Sequence, residues 1–259
     1  PRLFAVETSR GWKLRKEDGV DAVPLAVFDP ARRDAYEAFA RQVANQMMDE
    51  EALGHPGVWA AERKKILEMV LNFVRYDVET CVAENRYPAL FEQKFKAETA
   101  VDLGCVKVHG IIDRIDLVFA ETGDLEKVRV LDYKGSSKAR TKPDEYIEEI
   151  IRNLDCQLPV YAFAAQQQFF GEINTAAANA RTETGYLIYE RDFPKLGKQL
   201  KKSLIRMDEA GLVDGFIQTL ERNIAKLKAG DFAVDPLIAG YNDYTSICRT
   251  EAVDWSDVD

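Results

Sequence analysis

The sequence is poor in cysteine, and the cysteines it has are scattered. Cys81, Cys105, Cys156 and Cys248 form no Cys-x-x-Cys pair. That argues against a structural zinc site and for a reducing compartment, the cytoplasm. No apolar run approaches the length of a membrane span, and no signal-peptide pattern opens the chain. A membrane partner is therefore not expected. Positive charge is in deficit too, with a formal net charge of −9. A chain this acidic does not bind nucleic acid by overall charge, so any such contact has to come from local basic patches. There is no Walker A motif either, so no P-loop nucleotide site is expected.

The remainder is ordinary. At 46% hydrophobic and 31% charged, the composition is that of a globular protein. A length of 259 residues holds one large domain or two modest ones. The first residue is Pro1 rather than Met, which raises the expectation of a chain processed or cut from something longer.

The stretch from Gly110 to Lys134 organises the rest. Gly110-Ile111-Ile112-Asp113-Arg114-Ile115-Asp116-Leu117-Val118-Phe119 is short and β-branched, and Val128-Arg129-Val130-Leu131-Asp132-Tyr133-Lys134 matches it. Glu121-Thr122-Gly123-Asp124 breaks them apart, which is a hairpin signature. In a strand the period is two, so Asp132 and Lys134 point to one face. With Asp113 on the partner strand, two carboxylates and one ammonium converge there. Two carboxylates facing one point repel, and a divalent cation relieves the repulsion. A lysine beside such a site stabilises charge developing on a phosphate.

Before the hairpin, residues 2–6 and 23–28 read as short strands, with Lys13-Leu14-Arg15-Lys16 a solvated basic run between them. Asp29-Pro30 opens a helix, with Tyr36, Phe39, Ala40, Val43 and Met47 as its apolar stripe. Gly54-His55-Pro56-Gly57 stops it. A second helix then runs from about Val58 into the low 80s, with Ile66, Met69, Val70, Phe73 and Val74 as its stripe. Pro88 ends the helical half, and Leu90 to Phe95 reads as the first strand of the sheet.

After the hairpin, Lys138, Arg140 and Lys142 sit in a loop of small residues. That loop suits contact with a phosphate backbone, or is merely solvated. Pro143 opens a helix. A further helix carries Gln157 and Tyr161, four apart and so on one face, and Gly171 ends it. Residues 172 to 182 read as a loop and Gly185 to Glu190 as a strand. The basic segment Lys195, Lys198, Lys201, Lys202 and Arg206 follows a DNA strand or forms a solvated face. Val213, Phe216, Ile217, Leu220, Ile224 and Leu227 mark a last helix, stopped by Gly230.

Three motifs in this order carry a family resemblance: Gly110-x-Ile112-Asp113-Arg114-x-Asp116, Asp132-Tyr133-Lys134-Gly135 and Gln157-x-x-x-Tyr161. Over roughly residues 88 to 250 the chain resembles the PD-(D/E)XK nuclease superfamily, in its RecB-like branch. The branch's usual DYKTG reads DYKGS here. The resemblance implies an α/β fold: a restriction-endonuclease-like core with a central mixed sheet flanked by helices. Residues 88–259 would form that core, and residues 1–87 a mainly helical segment packed on it. Asp113 takes the place of the first metal-binding aspartate, Asp132 the second and Lys134 the catalytic lysine, with the Tyr133 carbonyl an extra ligand. Asp116 rivals Asp113, although strand alternation puts it on the opposite face.

Glu92 matches a glutamate that branch members often carry. It orients a metal-bound water or holds the adjoining helix, or is an exposed strand carboxylate. Gln157 and Tyr161 position the core or contact DNA in the resembling proteins. The branch often adds a helical histidine as a ligand. Here His55 sits in a Gly/Pro turn and His109 at a strand start, so both read as surface residues. Such a core would hold metal weakly until a missing upstream segment is restored. Several RecB-like nucleases also carry an iron–sulfur cluster. Of its C-terminal cysteines only Cys248 is present, the other places falling on Ala239 and Asn242, so no cluster is expected.

The implied activity is Mg²⁺- or Mn²⁺-dependent hydrolysis of DNA, as an exonuclease. The implied setting is the nuclease module of a RecB/AddB-type helicase–nuclease in double-strand break repair and recombination. Its partners would be DNA and helicase domains in the parent chain or another subunit. Two other readings are an inactive DNA-binding or scaffolding module that kept the fold, and an unrelated metal-dependent enzyme with the same carboxylate pair.

Overall fold

In a computed structural model of the chain, the structure describes residues 5–8, 11–14, 33–50, 55–95, 101–102, 107–134, 157–170, 177, 180–188, 204–208 and 211–231. Its centre is a seven-stranded mixed sheet in the order β1-β2-β3-β6-β7-β8-β9. The strands are β1 (Ala5–Thr8), β2 (Gly11–Leu14), β3 (Arg86–Phe95), β6 (Gly110–Phe119), β7 (Leu125–Lys134), β8 (Arg181–Ile188) and β9 (Ile205–Arg206). Strands β4 (Val101–Asp102) and β5 (Lys107–Val108) form a separate small hairpin. Only β7 and β8 run parallel, and the other neighbours in the sheet are antiparallel. A parallel neighbour needs a long crossover. Helix α3 (Gln157–Gln168) lies in this one and packs against β6, β7 and β8. Helices α1 (Arg33–Glu50) and α2 (Pro56–Ala83) lie between β2 and β3 in the chain, and α4 (Leu212–Lys228) follows β9.

The hairpin expected between Gly110 and Lys134 is β6–β7, closed by the turn at 120–124, where Gly123 adopts a φ of +89°. Alternation along β7 assigns the two faces. Asp132 and Lys134 turn to α3, where Gln157 meets both. Tyr133 turns the other way and meets Phe73 of α2 edge to face. Helices α2 and α3 therefore cover opposite faces.

Several expectations need correction. Lys13 and Leu14, expected in a solvated basic run between strands, are part of β2, which extends the same sheet through Trp12 and Lys13 to β3. On α1 the buried residues are Ala40, Ala44 and Met48, while Phe39 and Met47 are exposed. The five expected stripe residues of α2 are half-buried. Its buried positions are Leu71, Tyr76, Asp77, Val78 and Cys81. Strand β3 starts at Arg86, so Pro88 lies inside it. The register shifts between Pro88 and Leu90, and β2 pairs only at Leu90 and Phe91. Proline is tolerated at such a bulge beyond the neighbouring strand's reach. Strand β8 starts at Arg181 rather than Gly185, because Thr182, Glu183 and Thr184 are polar yet buried. The helix expected from Pro143 lies outside the described residues.

Charge, not only apolar packing, holds the α2 face. Arg114 grips Asp77 of α2 (Nη1–Oδ2 2.6 Å) and Asp116 (Nε–Oδ1 2.6 Å). Arg86 pairs with Asp116, and its Nε reaches Glu84 at 3.1 Å. Arg129 continues to Glu84 (2.6 Å) and to Glu183 of β8 (2.7 Å). Three arginines and four carboxylates thus alternate from α2 across β6, β3, β7 and β8. Bidentate guanidinium–carboxylate pairs are the strong kind, and they satisfy groups that would be costly to bury alone. Burial by itself would raise the Asp116 pKa, but Arg114 and Arg86 outweigh it and hold the carboxyl below its ordinary range.

Asp116→Asn should therefore cost about 3–5 kcal/mol, because it removes a buried negative charge shared by two buried guanidiniums. Urea unfolding near neutral pH measures this. Asp116 contributes stability above the ordinary carboxylate pKa, and that contribution is lost as pH falls through its depressed folded value. The acid-side loss of stability should be shallower in the variant.

Candidate active site

The β6–β7 ladder builds the site by ending where it does. Pairing runs as far as Arg114 and Leu131, and one step further brings Asp113 beside Asp132. There the Asp113 carboxylate takes the place of a backbone partner, and its Oδ2 accepts a hydrogen bond from Tyr133 N at 2.8 Å. Asp132 is 3% exposed. Its Oδ1 accepts from Gln157 Nε2 at 2.9 Å, and the Gln157 Oε1 accepts from Lys134 Nζ at 2.9 Å. Gln157 Nε2 also lies 3.1 Å from the Tyr161 hydroxyl. One amide thus fixes the acid and the ammonium together.

The second oxygen of Asp132 is different. Lys134 Nζ stands 2.8 Å from Oδ2 in a close ion pair. Among the described residues no other donor reaches this buried oxygen. Burial raises the Asp132 pKa, Lys134 opposes the rise, and the Asp113 charge adds to it. The carboxyl is pushed up to about 6. A buried carboxylate that faces a second carboxylate, with one lysine against its outer oxygen, fits a divalent, oxygen-preferring cation. Asp113 and Asp132 would hold it. Among the described residues no cluster of three or more His, Cys, Asp or Glu side chains is set for a metal, so water and substrate would fill the other positions.

Glu92 lies across β3 from Asp113, between the pairs Phe91–Arg114 and Gln93–Ile112. Its φ of +50° is in the left-handed region, a strained state for a glutamate within a strand. It is half-buried, and burial, then the Asp113 charge, raises its pKa. Tyr161 is half-buried, with its ring edge-on to Phe95 at 6.2 Å. Phe95 explains the first glycine of the motif: a Cβ on Gly110 would come within 2.9 Å of the Phe95 ring.

The structure thus gathers Asp113, Asp132, Lys134, Gln157 and Tyr161 around one point, with Glu92 on the flanking strand. Asp116 is not among them. It lies in the ion network on the opposite face, saturated by arginine. His55 caps α2, its Nδ1 accepting from Gly57 N at 3.2 Å, and His109 is exposed. Arg206 forms an exposed ion pair with Asp208. Lys138, Arg140, Lys142, Lys195, Lys198, Lys201, Lys202, Cys248, Ala239 and Asn242 lie outside the described residues. The sequence did not disclose Tyr186. Its ring centroid is 5.2 Å from Lys134 Nζ, and only the β7–β8 register, which sets Tyr186 beside Asp132, brings it there.

A raised carboxyl pKa costs stability once the group must ionise. Without metal, the protein should lose stability as pH rises from about 4, where an unfolded aspartate titrates, through the folded value of about 6. In a chelator, Asp132→Asn should melt above the wild type at pH 7.5 and converge with it in acid. Melting curves across that range check the sign.

The chain was compared with known proteins. No individual curated protein matches it. The profile of the PD-(D/E)XK nuclease superfamily matches residues 24–249, which include every strand from β3 to β9 and each site residue described above. Nucleases of this superfamily work with divalent metals, as the Asp113–Asp132 pair fits. The match spans most of the sequence, and the chain belongs to the PD-(D/E)XK nuclease superfamily.

Proposed function

We propose that the protein is a Mg²⁺- or Mn²⁺-dependent deoxyribonuclease. The observation that carries this reading is the buried Oδ2 of Asp132, beside Asp113, which no donor but the Lys134 ammonium, at 2.8 Å, reaches among the described residues. Asp113 and Asp132 hold the cation, with the Tyr133 carbonyl as a further oxygen. When bound, the cation lowers the pKa of a water and offsets charge on the scissile phosphate. Tyr133 N–H fixes Asp113, and Gln157 fixes Asp132. Lys134 presents its ammonium to the charge that builds on the phosphoryl oxygens as the bond to the leaving oxygen breaks. Glu92 orients the attacking water from the flanking strand. Lys138, Arg140 and Lys142 follow Lys134 in sequence and take the DNA backbone.

The Gly-x-Ile-Asp, Asp-Tyr-Lys and Gln-x-x-x-Tyr motifs further support a RecB/AddB-type nuclease. In that reading the chain is an exonuclease module working in the cytoplasm beside helicase domains in recombinational repair.

Cleavage of end-labelled linear DNA in Mg²⁺ and in chelator is the test. Cleavage should need the metal and should vanish in Asp132→Asn. Lys134→Ala should lower the single-turnover rate by about 10²–10³-fold, the range for removing one group that stabilises transition-state charge. DNA affinity should change little in the lysine variant. A wild-type protein that binds DNA and cleaves none in either metal would instead be a binding module that kept the fold.

A further inference from the structure

We propose that Tyr186 is a positioning residue for Lys134: its ring face holds the ammonium in place for phosphate. The proposal rests on the nuclease reading above. Lys134 has a long, flexible stem and a half-exposed side chain, so its position depends on what grips the ammonium. Three groups do so. Asp132 Oδ2 lies at 2.8 Å, Gln157 Oε1 at 2.9 Å, and the Tyr186 ring centroid at 5.2 Å. The last distance is within the range of a cation–π contact, and the ring is 3% exposed, where such contacts are strongest.

The three grips do not serve equally through the reaction. Asp132 is also a proposed ligand for the divalent cation. Once its charge is committed there, its hold on Lys134 weakens, and the cation repels the ammonium. Gln157 and Tyr186 are neutral, and their attraction does not depend on the charge of Asp132. They meet the ammonium from different elements, one from α3 and one from β8. Tyr186 is well placed for this because β8 runs parallel to β7, with Tyr186 in register with Asp132 and Ile188 with Lys134. The tyrosine therefore shares the Asp132 face, one position back from the lysine it holds. Filling the core alone would require only a ring-sized apolar group, whereas holding a cation requires an electron-rich face.

That difference defines the test. Phenylalanine and its mono-, di- and trifluoro derivatives are placed at position 186, which drains the ring face stepwise at nearly constant shape. Measured against Tyr186→Phe, the single-turnover rate in Mg²⁺ should fall with each fluorine, by about tenfold across the series. DNA affinity should stay within about twofold, since the contact acts on the transition state. In a Lys134→Ala background the series should be flat. A second readout needs no activity. In the proton NMR spectrum the Lys134 methylene nearest the ammonium should be shifted upfield by the Tyr186 ring. The shift should persist when the cation is added and disappear in Tyr186→Leu. A fluorine series that leaves the rate unmoved, or one with equal slope in the Lys134→Ala background, overturns the proposal. If the wild type cleaves no DNA, the nuclease reading fails and the NMR shift alone decides on Tyr186: its presence supports the contact and its absence removes it.

Discussion

The period-two alternation of β6 and β7 is the constraint on which the rest of the molecule depends. Asp113 and Asp132 face α3, while Arg114 and Tyr133, their immediate neighbours, face α2. A slip of one residue in either strand would exchange the two sets. In β6 it would put the Arg114 guanidinium beside Asp132 and the Asp113 carboxylate inside the ion network. The register is therefore fixed from both sides. Apolar packing of Val128 and Val130 holds one face, and the Asp77–Arg114–Asp116–Arg86 pairs hold the other.

The two faces answer the same electrostatic problem in opposite ways. On the α2 face, each buried carboxylate has arginine partners, and Asp116 is driven toward full ionisation. Cys81, enclosed there, has its thiol pKa pushed up, first by burial, and is an inert part of the packing. On the α3 face, Asp132 lies beside Asp113 with one lysine as its cationic partner, and no other donor among the described residues reaches its Oδ2. The first arrangement is closed and structural. The second leaves two neighbouring carboxylates with little positive charge to balance them, an arrangement that suits a divalent cation. Buried carboxylates alone do not distinguish a site from a scaffold, but the count of their partners does.

Much of the site was legible in the sequence because its members are local or periodic. Asp132 and Lys134 are two apart on a strand, Gln157 and Tyr161 four apart on a helix, and the turn at Gly123 announces the hairpin. Alternation alone already set Asp116 on the far face from Asp113. Features that depend on register between distant strands were not legible. No local pattern marks Arg86, Arg114, Arg129 and Glu183 as members of one buried network, since isolated charges usually lie in solvent. Thr182 fell in the expected loop, and the strand was expected only from Gly185, for the same reason. Pro88 read as a boundary, although a bulge admits it into β3. Neither the strained backbone of Glu92 nor the place of Tyr186 beside Lys134 follows from any local pattern.

The claim at the centre of this account is that Asp113 and Asp132 together hold one divalent cation. Anomalous diffraction from crystals grown with Mn²⁺ tests it most directly. The account predicts a single strong manganese peak bridging Asp113 and Asp132 Oδ2 on the α3 side of β7, with Lys134 still against Gln157. A manganese peak elsewhere, with Asp132 Oδ2 left without a metal, would contradict it.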